Sequence, residues 1–119
     1  MYFDGTTLVE LISDPNKTAA VAPAIASDNR AQTSPFAVIE AAMELPELGE
    51  AGVTAFIEAQ GIELRNLPPE NRLIAAALAA EGKLKNRLHA ACADYYETEL
   101  FVLPVGEPGS PLTETPLAE

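Results

Sequence analysis

The chain of 119 residues sets 18 Asp and Glu against 7 Lys and Arg, a net charge of −11, with 48% hydrophobic residues, one Cys and no Trp. This length fits one domain, and the acidity excludes a phosphate-backbone binder, which needs clustered Lys and Arg to release counterions. The lone Cys92 excludes an intrachain disulfide and a thiolate metal cage.

Met1 to Gly5 offers neither a basic nor an apolar leader region, and no run approaches the roughly 18 apolar residues of a membrane span. Neither secretion by the general route nor a membrane crossing is expected. Thr7 and Glu10 form a capping-box pattern ahead of Leu8, Val9, Leu11 and Ile12, which predicts a short helix over 7–13 ended by Asp14-Pro15. Asp14 is a candidate cap for a short turn over 16–21, Pro23 interrupts it, and the polar run 27–34 reads as loop. Ser34-Pro35 pairs a cap residue with Pro at the first helical position. Phe36, Ile39, Ala42 and Met43 then recur at spacings of three and four, predicting a helix over 35–45.

Pro46 stops that helix, and Val53, Phe56, Ile57 and Gln60-Gly61 predict another over 47–60 with glycine at its end. Residues 62–67 fit an extended connector. Pro68-Pro69-Glu70 opens the longest predicted element, over 69–102, with Leu73, Ala77, Leu84, Leu88, Ala91 and Tyr95 close to one face. Leu84 and Leu88 are therefore expected on its buried side. Gly82 in the middle either permits close packing or marks a break into two helices. Pro104, Gly106, Pro108, Gly109, Pro111 and Pro116 are incompatible with helix or central strand. The expected fold is mainly α: a small helical bundle over 1–103, with one long C-terminal helix, and an extended Pro/Gly-rich tail over 104–119. No sheet of three or more strands and no internal repeat are expected.

Charge is laid out in blocks. Residues 31–64 hold six acids and no base, 65–87 carry a net +3, and 88–119 return to six acids and no base. On the predicted long helix this opposes the macrodipole, because Asp94, Glu97 and Glu99 crowd its negative end while Lys83, Lys85 and Arg87 lie earlier. One reading is drift on a solvated face; the other is that the acidic end meets cations of a partner or a second copy. Tyr95, Tyr96 and Phe101 add an aromatic cluster beside it, suited either to a core or to an interface. The candidate interface is thus Asp94, Tyr95, Tyr96, Glu97, Glu99 and Phe101 with Lys83, Lys85 and Arg87. His89 and Cys92 share a helix face at a spacing of three, but two ligands do not make a metal site and no acid is visible to orient His89. They are read as a thiol packed on the apolar face beside a partly exposed imidazole. No catalytic residue, metal or cofactor is assigned.

The combination of a small acidic helical unit, a long late helix and an extended tail resembles the adaptor proteins in the necks of tailed bacteriophages, which assemble as rings between portal and tail. The resemblance rests on size, helix order and tail, and transfers no residue by motif. It implies a structural, non-enzymatic head-to-tail connector that forms a homo-oligomer, contacts other proteins of the assembly and resides in the virion. Outside a phage the cytoplasm is the expected location. The alternative suggested by the charge is a small acidic regulatory protein that covers a basic protein surface, as inhibitors and anti-CRISPR proteins do.

Overall fold

The computed structural model describes residues 1–27 and 30–101; the tail expected over 104–119 lies outside the described residues. The elements run β1 (Tyr2–Phe3), α1 (Gly5–Ser13), α2 (Pro15–Ser27), β2 (Gln32–Thr33), α3 (Pro35–Glu44), α4 (Gly49–Gln60), β3 (Glu63–Leu64), α5 (Glu70–Ala79) and α6 (Leu84–Tyr95). The fold is mainly helical, but the expectation of no three-stranded sheet is overturned. The strands pair in parallel in the order β1-β2-β3, with Tyr2 opposite Gln32 and Gln32 opposite Glu63. Leu100 forms a further parallel bridge to Tyr2. Strands of two residues are too short to carry an alternating hydrophobic period. Each strand is followed by two helices, so a strand–helix–helix unit recurs three times with no repeat visible in the sequence.

Parallel strands need crossovers, and here each crossover is a helix pair. Alternation along a strand sends Phe3 and Tyr2 to opposite faces of the sheet. Phe3 joins the main core with Leu8, Leu11, Val21, Ile25, Val38, Val53 and Ile57. Tyr2 joins a second cluster with Cys92, Ala93 and Tyr96 of the α6 region.

The local signals explain the element ends unevenly. Ser34 caps α3 as its sequence suggests, its side chain accepting from Ala37 N–H, and Gly61 ends α4 at φ 81°. The first helix begins earlier than expected, because Asp4 and not Thr7 is its cap. Pro23 does not stop α2, which runs to Ser27 and buries only Val21 and Ile25.

The single helix expected over 69–102 is two. Gly82 sits at φ 103°, a region that L side chains rarely adopt, and Ala80 and Lys83 on either side are extended. Arg87 fixes the break, its Nε donating to Gly82 O at 2.7 Å. The chain then folds back, so that Arg72 of α5 lies over the ring of Tyr95 at the far end of α6.

The buried face of α6 matches the expected one at Ala91 but not at Leu84 and Leu88. His89, Cys92, Ala93 and Tyr96 point inward, whereas Leu84 is 69% exposed and Leu88 only half-buried. The face is turned by one residue, about 100°. Two small residues let α6 approach the sheet closely, and His89 and Tyr96 find hydrogen-bond partners there.

Candidate functional site

A chain of buried polar groups crosses the interface between α6, the sheet and α3. Register places Tyr2 of β1 beside β2, whose end leads directly into Ser34, and Tyr2 Oη lies 2.6 Å from Ser34 Oγ. The same hydroxyl lies 2.6 Å from Nδ1 of His89. On the other side of the ring, Nε2 of His89 lies 2.6 Å from Oε1 of Glu40, in the second turn of α3. That oxygen also accepts the N–H of Gly5, the first residue of α1, at 3.1 Å. Gly5 has to be glycine, since a Cβ there would collide with both Oε1 and Cβ of Glu40.

With the imidazole neutral, the donors run in one direction: Ala37 N–H to Ser34, Ser34 to Tyr2, Tyr2 to Nδ1, and Nε2–H to Glu40. Burial pushes the phenol of Tyr2 far above the usual tyrosine range, opposed by its hydrogen bond to Ser34. Burial also raises the Cys92 thiol, and raises Tyr96, whose neighbour Cys92 adds to the effect. Hydroxyls and thiol therefore stay protonated in the folded chain, and the network holds α6 against β1 and α3.

Only Glu40 brings this network to the surface. It opens on a cleft of about 490 Å³ between α1, α3 and the start of α6, with Val9 and Met43 as apolar lining and Glu10, Glu44 and Lys85 at its edges. Ser34 and Cys92 are fully buried, so neither oxygen nor sulfur is presented to that cleft as a nucleophile. Among the described residues no three His, Cys, Asp or Glu side chains gather as a metal site, and no helix is long and apolar enough to cross a membrane.

His89 is 2% exposed, which corrects the partly exposed imidazole expected from the sequence, and Glu40 is the orienting acid that the sequence did not reveal. Ser34 was recognisable as a cap and Tyr2 as an aromatic residue. Nothing in the linear order connects either of them to His89.

The residues expected at an interface divide into four places. Lys83, Lys85 and Arg87 are at the start of α6, where Lys85 Nζ donates to Thr6 Oγ1 at 2.9 Å. Asp94, Glu97 and Glu99 are exposed at its other end, about 18 Å away at 1.5 Å per residue. Tyr96 lies in the core at 3% exposure, its hydroxyl donating to Asn66 O and its ring covered by Arg65, while Tyr95 is half-buried beside it. Phe101 packs edge-on against Phe3 on the opposite face of the sheet. The cations that meet the acidic end of α6 include the chain's own Arg30, which donates to the carbonyls of Tyr96 and Glu97 at 2.8 and 2.6 Å.

Among the described residues, the most exposed large apolar side chains fall on two surfaces. One is on α3, where Ile39 and Met43 are exposed one turn apart, Met43 to 76%. The other is on the α5–α6 hairpin, where Ile74, Leu78 and Leu84 are exposed and α5 buries no residue at all. No protein-family model matches the chain, and no curated protein or solved structure matches it.

Proposed function

We propose that this chain is a structural subunit of a multi-protein assembly, most specifically a head-to-tail connector of a phage neck, acting through protein contacts. The observation that carries this reading is α5. This helix of ten residues packs along α6, with Arg72 over the ring of Tyr95, yet it buries none of its side chains fully and leaves Ile74 and Leu78 exposed. Helices in folded proteins are stabilised chiefly by packing an apolar face, and such a face left open marks an association surface. The elongated outline, 43 Å against 29 and 26 Å, suits a subunit that reaches toward neighbours.

Size-exclusion chromatography with light scattering tests the reading. A mass several times that of one chain, rising to a plateau with concentration, supports a closed assembly. A single-chain mass at all concentrations, alone and with candidate neck proteins, rejects it.

A further inference from the structure

The two exposed apolar surfaces are complementary in charge. On α3, Ile39 and Met43 run beside Glu44, and Glu47 follows in the turn before α4; Glu40 is committed to His89 and Gly5, and the chain's own Lys85 lies at the edge of the same cleft as Met43 and Glu44. On the α5–α6 elbow, Leu78 and Leu84 flank Lys83, with Lys85 and Arg87 following and Glu81 as the one opposing charge. Exposed apolar residues thus sit beside acids on one surface and beside bases on the other.

We propose that the acidic apolar face of α3 receives the basic apolar elbow, residues 78–85, of a second copy of the chain. The proposal rests on the assembly reading above and names the surfaces that would carry it. A second copy is the occupant because one chain holds both halves. Lys83, Glu44 and Glu47 are exposed, and no ion pair among the described residues uses any of them. Lys85 is directed to Thr6, and Arg87 to Gly82 and Ala77, which leaves Lys83 as the cation placed to cross the contact. Placing Met43 and Leu78 or Leu84 against each other removes apolar surface from water, and the flanking charges set the register. The elbow of one copy need not return to the copy that it docks on. Such a contact is heterologous and extends to a ring when the rotation closes.

A charge swap tests the pairing. Lys83→Glu and Glu44→Lys each alter an exposed side chain, so the fold should persist, which far-ultraviolet circular dichroism and a denaturation midpoint would verify. Sedimentation equilibrium in about 0.1 M salt, where the Debye length is about 10 Å, should show each single variant associating about tenfold more weakly than the natural chain. The double variant, with the pair reversed, should recover most of that loss. Assembly of the natural chain that neither variant weakens overturns the proposal and leaves the assembly reading standing. So does a double variant weaker than both singles. A natural chain that stays monomeric, or that associates only with a different basic protein, overturns self-docking altogether.

Discussion

Nε2 of His89 lies 2.6 Å from Oε1 of Glu40, across a separation of 49 positions in the chain. One carboxylate oxygen thereby joins α6 to α3 and, through Gly5 N–H, to the first turn of α1. The opposite ring nitrogen reaches Tyr2 and the sheet. Three crossover helices and a strand are thus fixed to one another by a line of hydrogen bonds around a single imidazole, in a domain whose core is divided into two clusters by its small sheet.

Replacing His89 by Ala should therefore cost more than its modest apolar content implies. It removes a fully packed ring and leaves the Tyr2 hydroxyl and the Glu40 carboxylate each short of a partner, a loss of about 2 to 4 kcal/mol. Glu40→Gln retains a carbonyl acceptor and should cost about 1 kcal/mol. Urea unfolding followed by circular dichroism gives both values. If His89→Ala costs no more than Glu40→Gln, the imidazole does not hold α6.

The turned face of α6 gives a second expectation. Leu84 is largely exposed, so Leu84→Ala should change stability by less than about 0.5 kcal/mol. Leu8 and Leu11 of α1 are buried in the main core, and replacing either by Ala should cost about 2 to 5 kcal/mol. Equal losses at Leu84 and Leu11 in the same unfolding experiment would return Leu84 to a packed position.

Glu97 occupies a place that helix ends usually give to glycine. Its φ is 59°, and Thr98 N–H to Ala93 O and Glu97 N–H to Asp94 O form the paired bonds of a Schellman end. Glu97→Gly relieves the left-handed strain and removes an acid from the negative end of α6. It should stabilise the domain by about 0.5 to 1 kcal/mol, seen as a higher urea midpoint with unchanged slope. A lower midpoint would mean that the Glu97 side chain contributes more than its backbone costs.

Signals confined to neighbouring residues were legible in the sequence. Ser34-Pro35 announces α3, and Gly61 closes α4, because capping and left-handed glycine depend on two or three residues. Gly82 was ambiguous for the same reason that it matters, since glycine fits a continuous helix and a break alike, and only the return of α5 onto α6 decides. The face of α6 was misplaced because leucine outranks histidine and alanine as core residues when no partner is known. Tyr2 and Glu40 reverse that ranking by satisfying the imidazole, and both come from elsewhere in the chain. The sheet was missed because its pairing is carried by backbone bonds such as Gln32 N–H to Met1 O and Phe101 N–H to Tyr2 O, which leave no residue pattern.

The protonated hydroxyls make stability sensitive to alkali. Burial holds Tyr2 and Tyr96 far above the ordinary tyrosine range and raises the Cys92 thiol. In the unfolded chain cysteine releases its proton near pH ~8.5 and tyrosine near ~10. Above those values the unfolded state binds fewer protons than the folded one, so stability falls as pH rises. The contribution is complete below the unfolded values and is lost progressively above them. Each tyrosine that stays protonated only in the folded state adds a slope of about 1.4 kcal/mol per pH unit beyond pH ~10. Tyr2→Phe removes one such group. It should lower stability at neutral pH by about 1 to 3 kcal/mol, since Ser34 and Nδ1 of His89 lose their shared partner, yet it should make the alkaline decline shallower. Unfolding free energies between pH 8 and about 11 compare the two chains. Parallel pH profiles would mean that the Tyr2 proton is not retained by folding, and that the hydroxyl at the centre of the network is open to solvent.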